Sequence, residues 1–155
     1  MKLSRKYRKI LRIRRNYLNR KRLMNKEFSI IAMNCVGGVI YHELGEAFRS
    51  PTINLWFEPE DYLKFAEHLE DYLNLELKEV ITEKKYPVGI LGDIKVYFMH
   101  YSDFATAKEK WQERKARINK NNLYFVMVQC EGCTKEMIDK FDRLSLKHKV
   151  IFTAQ

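Results

Sequence analysis

Few side chains in this sequence are placed to do chemistry, and most of them follow apolar runs. His100 comes directly after the run 94–99 and is followed by Tyr101 and Asp103. A histidine with a carboxylate nearby can act as a general base with an orienting partner. Asn34, Cys35, Gly37 and Gly38 follow the run 28–33. Paired glycines before a helix offer bare N–H groups that suit a phosphate, and they also make an ordinary tight turn. Asp93, after Gly92, is either a turn former or a ligand for a metal or a sugar. Gln129, Cys130, Glu131 and Thr134 follow the run 123–128. His42 sits on the polar face of a short helix and could reach the same crevice. The candidate catalytic residues are therefore His100 and Asp93. The candidate donor- or substrate-binding residues are Asn34, Gly37, Gly38, His42 and Glu131.

Several chemistries are excluded. There is no dinucleotide fingerprint, since Gly37, Gly38 and Gly45 have the wrong spacing, and no Walker loop, HExxH or EF-hand pattern. No Ser-His-Asp order is present. Cys130 and Cys133 have the two-residue spacing of a redox or metal pair, where a strand gives way to a helix. A zinc site needs four ligands, and neither a second pair nor a nearby histidine completes one. The pair reads as a turn with incidental thiols, and no metal or cofactor follows from the sequence. Three cysteines make no disulfide framework and fit a reducing, cytoplasmic compartment.

The elements that would position these residues can be read from periodicity. Strands are expected at 28–33, 52–57, 77–82, 94–99, 123–128 and 149–153. Helices are expected from 39 to about 47, from 59 to about 74, from 103 to 118 and after Thr134. Ser102 and Thr134 read as N-caps, and Lys110, Arg114 and Arg117 as a solvated basic flank. The segment 84–93, with one proline and two glycines, reads as a loop. The alternation predicts an α/β protein, a three-layer α/β/α domain around a mainly parallel, mixed sheet, with ligands at the carboxyl ends of its strands.

Charge divides the chain of 155 residues in two. The first 26 residues hold 12 basic residues and no acidic one, while residues 27–155 carry 17 basic and 20 acidic residues. On a helical wheel Leu3, Tyr7, Ile10, Leu11, Tyr17 and Leu18 share one side. Residues 1–26 therefore read as a basic amphipathic helix, suited to an anionic membrane surface, ahead of an α/β domain over 27–155. Nucleic acid is a weaker partner, because no base-reading motif accompanies the charges. No apolar run approaches the ~18 residues of a membrane span. The chain stops two residues after an apolar strand. Either that strand is an edge or the domain is truncated at its C-terminus, and truncation is the reading preferred here.

Taken together, a set of segments carries a family likeness. They are Asn34-Cys35-Val36-Gly37-Gly38-Val39-Ile40-Tyr41, Ser50-Pro51-Thr52-Ile53-Asn54-Leu55, Tyr86-Pro87-Val88-Gly89, Asp93-Ile94, His100-Tyr101, Lys110-Trp111 with Arg114, Arg117-Ile118-Asn119, and Gly132-Cys133-Thr134. The sequence resembles the bacterial family known as domain of unknown function 1919, whose members are often labelled exopolysaccharide or capsular polysaccharide biosynthesis proteins. The resemblance implies a three-layer α/β fold and a role near surface-glycan synthesis, and it carries no established catalytic residues. The expected function is transfer of a sugar or acyl group, from a nucleotide-sugar or acyl donor to a glycan acceptor. The expected place is peripheral, at the cytoplasmic face of the inner membrane. The alternative is a non-catalytic accessory protein of the same pathway that binds a glycan or a synthase.

Overall fold

The computed structural model describes residues 5–130 and 132–153. The elements follow in the order α1 (Arg5–Arg22), β1 (Ser29–Ala32), α2 (Val36–Leu44), α3 (Pro59–Glu67), α4 (Leu69–Asn74), β2 (Lys78–Val80), β3 (Val88–Leu91), β4 (Ile94–Tyr97), α5 (Phe104–Lys115), β5 (Leu123–Val128), α6 (Lys135–Arg143) and β6 (Lys149–Phe152). The protein is of the α/β class, as expected, but its strands form two sheets. β1, β5 and β6 make a parallel sheet in the order β1-β5-β6, and β2, β3 and β4 make an antiparallel one.

Alternation along the parallel strands supplies two apolar faces. Ile30, Ala32 and Val126 face α2, with Tyr41 and Ile53. Ile31, Met33, Phe125 and Met127 face the other way, into the larger core built with Tyr62, Phe65, Trp111 and Phe141 from α3, α5 and α6. Helices thus cover both faces of the parallel sheet, and the antiparallel strands extend the larger core with Leu91, Ile94 and Val96.

Four expectations are corrected. The segment 52–57 is not a strand, although Ile53, Leu55 and Phe57 are fully buried in alternation. Asn54 adopts a left-handed backbone, φ 60°, which breaks the extended chain. Only Trp56 pairs, in an isolated bridge to Tyr97. The presumed loop 84–93 contains β3, because Gly89 is needed for packing: a Cβ there would stand 2.7 Å from Leu77 Cδ1 and 3.2 Å from Phe98. The helix expected over 59–74 breaks at His68, whose φ −121° and ψ 41° leave the helical region. Asp103, not Ser102, caps α5, accepting from the Thr106 N–H at 2.7 Å. Thr134 caps α6 as expected.

Among the described residues no strand lies beside the outer edge of β1. Its backbone groups are satisfied by hydroxyls instead. Ile30 N–H donates to Tyr41 Oη at 3.0 Å, and that hydroxyl donates to the Phe28 carbonyl at 3.0 Å. Ala32 N–H donates to Thr52 Oγ1 at 2.9 Å, and Thr52 donates to the Ile30 carbonyl at 3.3 Å. A buried edge cannot leave these groups unpaired, so the Thr52 and Tyr41 hydroxyls do the work of a missing strand.

Candidate functional site

The two sheets meet through the segment that is not a strand. Phe57 N–H donates to the Met33 carbonyl at 3.0 Å, just beyond β1. Trp56 exchanges two backbone bonds with Tyr97, at 2.8 and 2.9 Å, at the end of β4. Met33 lies two residues before Cys35, and Tyr97 three before His100. The join therefore carries the carboxyl end of β1 to the carboxyl end of β4. There Cys35 Sγ and His100 Nε2 stand 3.2 Å apart.

Cys35 is the N-cap residue of α2 and is half-buried, whereas His100 is exposed. The helix N-terminus gives the sulfur a favourable field for negative charge. Burial outweighs this and pushes the thiol above its ordinary value, with a bond from its own backbone N–H pulling partly back. The direction of this contact depends on the imidazole tautomer: with Nε2 as the acceptor the thiol donates to it, a geometry in which the imidazole can take the thiol proton as the sulfur attacks.

The turn that holds His100 is tied down by its neighbour. Tyr101 Oη donates to the Ile53 carbonyl at 3.3 Å and accepts from Arg114 Nη1 at 2.6 Å. Arg114 Nη1 also lies 3.3 Å from the Ile53 carbonyl, and its guanidinium sits over the Phe48 ring. Arg114 is thus a part-buried strut and not the solvated residue its flank suggested. Next to Ile53, the Asn54 amide packs on Gly38, where a Cβ would stand 3.3 Å from Asn54 Oδ1.

Gly37 and Gly38 are buried, and their missing side chains are used for close packing. A Cβ on Gly37 would lie 2.9 Å from Ala32 Cβ. Asn34 Oδ1 accepts the Val36 N–H at 3.0 Å, which starts α2 and spends that oxygen locally. These three residues shape the seat of Cys35.

The other candidates lie elsewhere. Asp93 occupies the two-residue turn between β3 and β4, at the opposite end of β4 from His100, and is not brought to it. It accepts from Lys64 Nζ at 2.8 Å and Tyr72 Oη at 2.6 Å. These bonds, Lys64 first, hold its carboxyl down at about 2. Asp103, the presumed orienting carboxylate, is spent on capping α5 and on Ser102 and Thr106 hydroxyls. His42 faces α1, 3.4 Å from Arg12 Nη1. Glu131 lies outside the described residues. Cys130 and Cys133 bring their sulfurs to 3.6 Å in the turn before α6. An apolar depression of about 250 Å³ lies apart from the thiol–imidazole pair, between Leu44, Tyr124 and Phe152.

Cys35 and Tyr101 stood at strand ends and Arg114 in a basic flank, but none of the three was among the candidate catalytic or binding residues. Cys35 offered one signal, a cysteine between a buried strand and a glycine-paired helix start.

Fold and site define an α/β protein with a thiol–imidazole pair at the carboxyl ends of its strands. The chain belongs to the family described as domain of unknown function 1919 (DUF1919), whose model matches residues 6–155. It is similar to a protein of Haemophilus influenzae that bears the name "Uncharacterized protein". The two are 42% identical over 142 residues, covering 90% of this chain and 69% of that protein.

Proposed function

We propose that the protein transfers an acyl group through Cys35, with His100 as its base, onto a glycan intermediate of surface-polysaccharide assembly at the cytoplasmic membrane face. The observation that carries the chemistry is the 3.2 Å contact between Cys35 Sγ and His100 Nε2 at the start of α2. His100 takes the thiol proton while the sulfur attacks the carbonyl of an acyl-thioester donor. The new carbon–sulfur bond forms, and the donor's thiolate leaves with the proton from the imidazolium. In the second half an acceptor hydroxyl, deprotonated by His100, attacks the Cys35 thioester and releases the thiol. The N-terminal end of α2 faces the negative charge that develops on the carbonyl oxygen. A nucleotide-sugar donor has less support, because packing already accounts for Gly37 and Gly38. The glycan context rests on the family resemblance.

One observation favours the alternative, a non-catalytic accessory role: among the described residues no carboxylate is hydrogen-bonded to His100. Intact-mass measurement after incubation with acyl-thioester donors separates the two. The enzyme reading expects one added acyl group on the wild type, none on Cys35→Ser, and acylation slowed by ~10²-fold or more in His100→Ala. No adduct with any donor, from a folded sample, would move the assignment to the accessory role.

A further inference from the structure

α1 is docked the wrong way round for an amphipathic helix. Such a helix ordinarily buries its apolar stripe. Over residues 7–22 the only two positions drawn in from solvent are Asn16 and Asn19. The reason is the end of α2, whose last carbonyls point beyond the helix; the His42 carbonyl accepts the Gly45 N–H at 3.2 Å and has room for a second donor. Asn16 Nδ2 donates to the His42 carbonyl at 3.1 Å, and Asn19 Nδ2 to the Glu43 carbonyl at 3.2 Å. Arg15 pairs with Glu43, and Arg20 Nε lies 2.9 Å from Glu46. Gly45, left-handed at φ 66°, admits the contact: a Cβ there would stand 3.2 Å from Asn16 Nδ2. The polar face of α1 thus caps and neutralises the C-terminus of α2.

The opposite face is left outward. At ~100° per residue Ile10 lies ~180° from Asn19, with Leu11, Tyr17 and Leu18 beside it. Their exposures are 62% for Ile10, 42% for Leu11, 58% for Tyr17 and 45% for Leu18. Arg14 and Lys21 share this side, and Lys21 Nζ lies 5.3 Å over the Tyr17 ring. Long basic side chains among apolar ones can keep their charges at headgroup level while the stems lie along the apolar surface.

We propose that the outward face of α1 is an interfacial anchor for an anionic phospholipid surface. Ile10, Leu11, Tyr17 and Leu18 enter the headgroup boundary, and Arg14 and Lys21 beside them pair with lipid phosphates. The occupant follows from charge. The outward side carries Arg14 and Lys21, and there is no acidic residue anywhere in the first 26, so this face attracts an anionic surface. A second copy would set the same basic face against itself, and like charges across an interface are costly. The proposal deepens the membrane location in the proposed function and is independent of its chemistry.

Sedimentation with phosphatidylcholine vesicles, with and without phosphatidylglycerol, tests it. Binding should be at least ~10-fold stronger with the anionic lipid and should fall at ~1 M salt. The double variant Ile10→Ser, Tyr17→Ser should lose vesicle binding with an unchanged Tm, because neither side chain packs against the rest of the fold. Cys35→Ser should bind vesicles like the wild type, so a failure of the acyl-transfer reading would leave this result standing. Wild-type binding by the double variant, or no binding to anionic vesicles, overturns the anchor. A dimer that the double variant abolishes would assign the face to self-association instead.

Discussion

The two ends of β4 hold polar side chains in opposite conditions. At the hairpin end Asp93 has two partners, Lys64 and Tyr72, each bound to a different oxygen. Its charge and its acceptors are engaged, and it fastens the hairpin to α3 and α4. At the other end the hydrogen-bonding partner of His100 is Cys35 Sγ, itself a group able to react. A titratable residue whose bonds are spent on scaffold groups stabilises a fold. One whose bond runs to a nucleophile, at the exposed end of a strand, is free to move a proton. Asp93 is held by neighbours in its own part of the chain, whereas His100 meets Cys35 across 65 residues. The second arrangement therefore depends on the join between the sheets, and the first does not.

Breaking that join should have the largest effect. Thr52→Val keeps the shape of the side chain but leaves the buried Ala32 N–H without an acceptor, and the Ile30 carbonyl without that hydroxyl. A buried backbone group left unpaired costs about 1–3 kcal/mol. In a chain of this size that corresponds to a fall in Tm of roughly 2–10 °C. Acylation of Cys35 should fall with it, since the same segment sets the spacing of Cys35 and His100. An unchanged Tm would mean that Thr52 does not stand in for a strand.

A smaller and more selective effect is expected from Tyr101→Phe. The variant loses the hydroxyl that links Arg114 to the Ile53 carbonyl. Global stability should change by about 0.5–1.5 kcal/mol, the ordinary worth of such a bond. The acylation rate should drop by roughly 10-fold, because an ångström of misplacement at a reacting pair can cost up to ~10²-fold. The KM for the donor should hold steady, as Tyr101 acts through His100. A proportional rise in KM with an unchanged maximal rate would instead place Tyr101 in donor binding.

How much of this was legible depends on the range over which each feature is determined. β5 and α6 with its Thr134 cap are set by local alternation and capping, and they lie where periodicity puts them. The segment 52–57 misleads because its alternating burial is real while its partner is not a strand. Asn54 turns the chain, and the Thr52 side chain supplies the ladder bond. β3 hides behind Gly89, which looks like a breaker until Leu77 and Phe98 are seen to fill the space of its side chain. His100 and Cys35 both stood out at strand ends, yet nothing local says that those ends meet. Arg114 read as part of a solvated basic flank because the local sequence cannot show that Phe48 and Tyr101 lie over one side of α5.

The smallest expected effect lies at the hairpin, and it tests the contrast from its quiet side. Asp93→Asn should leave acylation of Cys35 unchanged, because the residue has no contact with the pair. Its effect is on stability and depends on pH. The folded carboxyl is held down at about 2, below the ~3.9 of an unfolded aspartate. A depressed carboxyl stabilises the fold above the unfolded value, and the contribution fades as pH falls through the folded one. The Tm gap between wild type and Asp93→Asn should therefore be constant above about pH 5 and close towards about pH 2. It should be small throughout, since the Asp93 side chain is 63% exposed and water and salt screen its pair with Lys64. A gap that widened in acid would reverse the assigned shift. Loss of acylation with an unchanged Tm would put Asp93 back beside His100 as a working residue, and the contrast between the two ends of β4 would fail.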